Sequence, residues 1–210
     1  DYAVHASGQE LPMHDGRNDP NFALHYTVEA APGRHTTGSQ LYYELFQLWR
    51  TFPKLPKPRL LYSKASKYHQ PEEKARAGAA SSQYVAVLNG AGMCLFGAFL
   101  GAHRFPIFDW LNAAAGWDKS AEDYLEIGRR ILTIKQDFNR RQGVPLLHTI
   151  PKRALGLPPQ QHGANRGRSV DLLPIVRAYW RSLGWEDHTG QPLPETWHAL
   201  GLDKLLDMPL

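Results

Sequence analysis

Cysteine is almost absent: Cys94 is the only one in 210 residues. That excludes an internal disulfide and any all-cysteine metal site built from one chain. No apolar run reaches the roughly 18 residues of a membrane span; residues 85–102 come closest, and Asn89 and several glycines interrupt them. No membrane span is expected. A charged, apolar, small-residue leader is missing too, so no secretion signal and a cytoplasmic location are expected. Nor is there an internal repeat, or an alternating run long enough to demand a sheet. Concentrated positive charge is also lacking. The net charge is only +4, and the basic residues are scattered apart from short groups such as Lys54, Lys57 and Arg59, or Arg140 and Arg141. Nucleic-acid binding usually needs one basic face, and arginines and aromatics do not interleave on a single predicted face. No nucleic-acid partner is expected. The first residue is Asp1 rather than Met, so part of a longer chain is expected.

What is present is ordinary globular material: 42% hydrophobic residues, enough for a real core. Residues 1–38 read mostly as loop and turn, because Gly8, Pro12, Gly16, Pro20, Pro32 and Gly33 follow one another closely. Residues 39–52 suit a short helix with Leu41, Leu45 and Leu48 on one face. Residues 53–72, rich in proline and lysine, read as a surface loop. A helix starts near Pro71, with Glu72 and Glu73 in its first turn, and breaks near 89–92. The clearest helix is 121–142. Ser120 caps it, Tyr124, Ile127, Ile131, Ile134 and Phe138 form its apolar face, and Gly143 stops it. Further helices are expected at 172–183, ended by Gly184, and at 194–206. The fold class is mainly α.

Cys94 sits in the run NGAGMCLFG at 89–97. Glycines here remove side-chain bulk and let the backbone approach something else. One reading is a small buried residue at a helix contact. The other is a thiolate ligand offered from a loosened turn beside a cofactor. Glu10 and Asp15 form a possible carboxylate pair, although loop carboxylates usually cap or face solvent. The tryptophans 110, 117, 180, 185 and 197 read as core aromatics.

Five stretches, in order, carry a resemblance: GQELPMHDGR at 8–17; ALHYT at 23–27 with PGRHT at 32–36; the Cys94 run; LNAAAGWD at 111–118 with YLEIGRR at 124–130; and LGWEDHTG at 183–190 with LGL at 200–202. The chain resembles the C-terminal portion of the aldehyde ferredoxin oxidoreductase family, tungsten or molybdenum pterin enzymes. The resemblance implies helical C-terminal domains of that type. Residues 1–72 would be a loop-rich part of a middle helical domain, with an insertion at about 39–72, and 73–210 a C-terminal helical domain carrying the Cys94 motif.

The resemblance also implies chemistry. Cys94 matches the last of four cysteine ligands to a 4Fe-4S cluster, where a soft thiolate suits iron. Asn89 matches a pterin-binding residue that is often Asp; the amide keeps an acceptor without the charge. Leu95 sits where backbone groups approach the pterin. His35 matches a histidine close to the metal, able to polarise a carbonyl or move a proton. Arg17 and Arg34 are candidates for holding pterin phosphates, or for bracing loops. The function implied is oxidation of aldehydes to carboxylic acids, with electrons passing through a metal-bis-pterin and the cluster to ferredoxin or a similar acceptor. Both cofactors need residues upstream of this chain, so a missing N-terminal portion is an expected partner and this stretch alone is expected to be inactive. The alternative is a non-catalytic helical interaction module derived from such an enzyme.

Overall fold

A computed structural model describes residues 3–58 and 71–206. The chain opens with a two-stranded antiparallel hairpin, β1 (His5–Ala6) and β2 (Gln9–Glu10), with His5 opposite Glu10. Helix α1 (Pro20–Val28) follows, and all nine of its residues are buried. The Asp19 side chain caps it by accepting the Asn21 N–H at 3.0 Å, and Pro20 pre-sets its first turn. Helix α1 interrupts a stretch expected to be mostly loop and turn over 1–38. A helix buried on every side has no polar stripe, so its sequence shows no helical period.

Helices α2 (Gln40–Leu45) and α3 (Leu48–Thr51) replace the single helix expected at 39–52. Gln47, left-handed at φ 48°, separates them. Leu41 and Leu45 are exposed; Tyr42, Tyr43, Phe46 and Leu48 turn inward instead. Aromatic rings bury more area than leucine, which decides the face. Residues 52–58 form turns, and the rest of the expected loop, at 59–70, lies outside the described residues.

Helix α4 (Pro71–Gly90) is the central element. Ala75, Ala79, Ala80, Ser81 and Ser82 are all buried along it, and such small side chains let neighbours come close. Helix α5 (Leu95–Gly101) leaves α4 at 108°. Helix α6 (Ile107–Ala115) leads to the long α7 (Ala121–Arg141). Ser120 and Asp123 form a capping box at the start of α7, as its sequence indicates. Its buried face, however, is Tyr124, Gly128, Leu132, Thr133, Gln136 and Asp137. Ile134 is 41% exposed and Phe138 50%, which corrects the expected face. The cause is Gly128, where any Cβ would run into the backbone of Gln83 on α4. Close backbone contact there sets the rotation of α7.

Helix α8 (Leu172–Leu183) ends at Gly184, φ 75°, as expected. Two short helices, α9 (Pro194–Ala199) and α10 (Asp203–Leu206), stand where one was expected. The main core joins Leu24 and Val28 of α1 to Ala79 of α4, Leu132 of α7, and Val176 and Leu183 of α8. Packing therefore runs across the expected division at 72/73. Trp180, Trp185 and Trp197 are core aromatics, but Trp110 and Trp117 are about half exposed. Among the described residues, no single helix is long and apolar enough to cross a membrane.

Candidate functional site

Four polar side chains meet inside the core. His25 of α1 is fully buried, and its Nδ1 lies 2.8 Å from Oε1 of Glu29, the residue that ends the helix. Ser82 of α4 donates to the same Oε1 at 2.7 Å, and Tyr179 of α8 donates to it at 3.3 Å. Tyr179 also donates to Ser82 Oγ at 3.1 Å. Burial, with Glu29 beside it, holds the Tyr179 phenol well above its usual value, so it stays a neutral donor. Glycines make room for this cluster. A Cβ on Gly38 would lie 2.7 Å from His25 Cε1, and one on Gly78 would lie 2.7 Å from Asn21 Oδ1. In the sequence the cluster is inconspicuous. Its only local signal is the His25–Glu29 spacing of four, which places both on one face of a helix.

Above the cluster lies a cleft of about 330 Å³ that Glu29, Ser82 and Tyr179 line from within. Val28, Leu132, Ile134 and Phe138 give it apolar walls, and Arg34, Asn89 and Lys135, all exposed, complete its edge.

The expected site residues fall around this cleft in different ways. Asn89 lines it, at the last turn of α4. Cys94 is exposed, in the tight turn between α4 and α5, which corrects the reading of a small buried residue. Leu95 begins α5 and is 7% exposed. His35 is half-buried on the loop after α1; its neighbour Arg34 lines the cleft, whereas neither His35 nor Cys94 is among the lining residues. The His35 ring lies 5.1 Å from the His14 ring, which itself stacks on Phe22 at 4.4 Å. Tyr42 pins the loop by donating to the His35 carbonyl at 2.6 Å.

Burial first, then His14 and Arg34, push the His35 imidazole below its usual value. Its titration followed by NMR is expected to have a midpoint below about 6.5, and His14→Gln is expected to raise that midpoint. The sign for stability follows. The folded state disfavours the protonated ring, so this contribution is complete above the unfolded midpoint and is lost as pH falls through the interval between the two.

Two other groups are occupied by structural work. Arg17 binds Asp15 with contacts at 2.7 and 2.9 Å, and Asn165 donates to the same carboxylate at 2.8 Å. Burial works against ionisation of Asp15, but these hydrogen bonds outweigh it and hold its carboxyl below the usual range. Asp15 and Arg17 are thus a brace, and Glu10 is exposed on the hairpin. In the turn after Trp185, Glu186 accepts the N–H groups of His188 and Thr189, and Asp187 pairs with Arg181.

Known proteins are similar to this sequence over nearly its whole length. The family model described as "Aldehyde ferredoxin oxidoreductase, domains 2 & 3" matches residues 1–202. The chain belongs to the aldehyde ferredoxin oxidoreductase family. The tungsten-containing aldehyde ferredoxin oxidoreductase of Pyrococcus abyssi is 32% identical over 209 residues, 98% of this chain and 32% of the relative. Proteins of the same description from Pyrococcus horikoshii and Thermococcus kodakarensis are 31% and 30% identical over the same length. The chain therefore spans about a third of the length of the curated relatives it matches. The helical architecture expected from the resemblance is the one observed.

Proposed function

We propose that this chain supplies domains 2 and 3 of an enzyme that oxidises aldehydes to carboxylic acids and passes the electrons to ferredoxin or a similar acceptor. The observation that carries the reading is the exposed turn at 89–94, which offers the Asn89 amide and the Cys94 thiol at the surface beside a cleft. Exposed donors of these two kinds fit the groups that the family's cofactors need: a soft thiolate for iron, and an amide for pterin edges. A tungsten- or molybdenum-bis-pterin would supply the two-electron chemistry, and a 4Fe-4S cluster would carry the electrons away one at a time.

The chain's own residues have separate tasks. Cys94 gives one of the four thiolates a 4Fe-4S cluster takes; with a single cysteine here, the others come from the remaining portion of the protein. Asn89 would hydrogen-bond the pterin. Leu95, buried at the start of α5, fixes the backbone that approaches it. His35, whose imidazole is held below its usual value by burial, then by His14 and Arg34, accepts a proton from the water that adds to the aldehyde carbonyl. The grouping of 1–72 with a middle domain and 73–210 with a terminal one, and a cytoplasmic location, belong to the same proposal.

The test is metal content with turnover. The full-length protein, prepared anaerobically, is expected to carry tungsten or molybdenum together with iron, and to reduce viologen when given aldehyde. The 210 residues alone are expected to do neither. Stoichiometric metal and turnover from the 210 residues alone would overturn the division of labour. A metal-loaded full-length protein that leaves every aldehyde untouched would overturn the activity.

A further inference from the structure

We propose that the cleft beside Asn89 receives the end of the substrate remote from its carbonyl, and that Glu29 there selects aldehydes bearing a hydroxyl group on an apolar, ring-sized body. The inference rests on the proposed aldehyde chemistry and names a substrate class for it.

Glu29 is 5% exposed, yet it lines the cleft. The donors His25, Ser82 and Tyr179 all converge on Oε1. Among the described residues no hydrogen bond ends on Oε2. Oε2 is not among the buried atoms left without a partner, so it is open to the cleft, where a ligand group that donates to it makes a charge-assisted hydrogen bond. A neutral hydroxyl suits the position better than an ammonium, because it adds no second ion to be desolvated. The apolar walls Leu132, Ile134 and Phe138 fit the body of such a molecule, and about 330 Å³ holds something of one-ring size. The exposed Arg34 and Lys135 at the edge place positive charge where the carboxylate of the product would emerge. The charge layout is therefore acceptor within and cation outside, matching a hydroxy acid and its aldehyde.

Binding tests this without turnover. Titrating the protein calorimetrically with 4-hydroxybenzoate, 4-methoxybenzoate and benzoate is expected to give at least tenfold tighter binding of the hydroxy compound, since a site built to bond a hydroxyl rejects analogues without it. Glu29→Gln is expected to shrink that preference to under twofold. Phe138→Ala, a change on the exposed wall, is expected to weaken all three. Equal affinities in the unaltered protein would overturn the proposal whether or not Glu29→Gln folds. A preference that survives Glu29→Gln would also overturn it. Discriminating binding in a protein that oxidises no aldehyde would leave the cleft assignment standing and remove the proposed activity. Oxidation without discrimination would do the reverse.

Discussion

Cys94→Ala in the full-length protein is expected to remove cluster iron and aldehyde-dependent electron transfer together. Cys94 is the only thiol this chain can offer, and it stands exposed at the α4–α5 turn. Altering a group that merely supports a metal ligand already costs about 10–100-fold in affinity or activity. Loss of a ligand itself exceeds that, so a fall of at least about 100-fold is expected. Iron per chain, the cluster's visible absorption and viologen reduction measure it. In the 210 residues alone, where Cys94 is at the surface and holds no cluster by itself, the same change should barely move the melting temperature. Full iron content and normal turnover in the alanine variant would show that Cys94 is not a ligand.

The second large effect concerns α7. Leu132→Asp is expected to unfold the protein, because it places an unpaired carboxylate in the main core, at a cost above about 4 kcal/mol. Gly128→Val should destabilise by about 3 kcal/mol or more, since the new side chain meets the Gln83 backbone, which cannot rotate away as a side chain can. Ile134→Asp, on the same helix, should cost about 1 kcal/mol or less, because Ile134 already faces solvent at the cleft. At about 2–4 °C per kcal/mol for a chain of this size, thermal melts by circular dichroism separate the three. A stable Leu132→Asp protein, or an unfolded Ile134→Asp one, would contradict the observed face.

These variants also mark the division between what is local and what is not. From the sequence alone, α7 could be delimited by Ser120, Asp123 and Gly143, and α8 by Gly184. The start of α4 at Pro71 and its end near Gly90 were legible in the same way. Caps and stops act through backbone groups a few residues away, so neighbouring residues suffice to specify them. The Cys94 run and its family were legible because that motif is contiguous.

Other features depend on neighbours distant in the chain. Helix α1 has no period to read, because every side of it is covered. The apolar stripe of α7 follows Ile127, Ile131 and Ile134, whereas its closest contact is made by a glycine. Gly128 has no side chain to announce itself, and its effect exists only when Gln83 lies against it. The polar cluster beneath the cleft draws on residues 25, 29, 82 and 179. Taken singly, each of these is an ordinary polar side chain. Together they hold a carboxylate at the floor of an open cleft, because α1, α4 and α8 bring three partners onto one of its oxygens. The sequence by itself determined the helical class, the ends of α4, α7 and α8, and the family; the tertiary structure decided which faces are buried and where the polar groups converge. Helix boundaries follow from hydrogen bonds within a turn, while burial and convergence follow from contacts that exist only once distant segments are packed together.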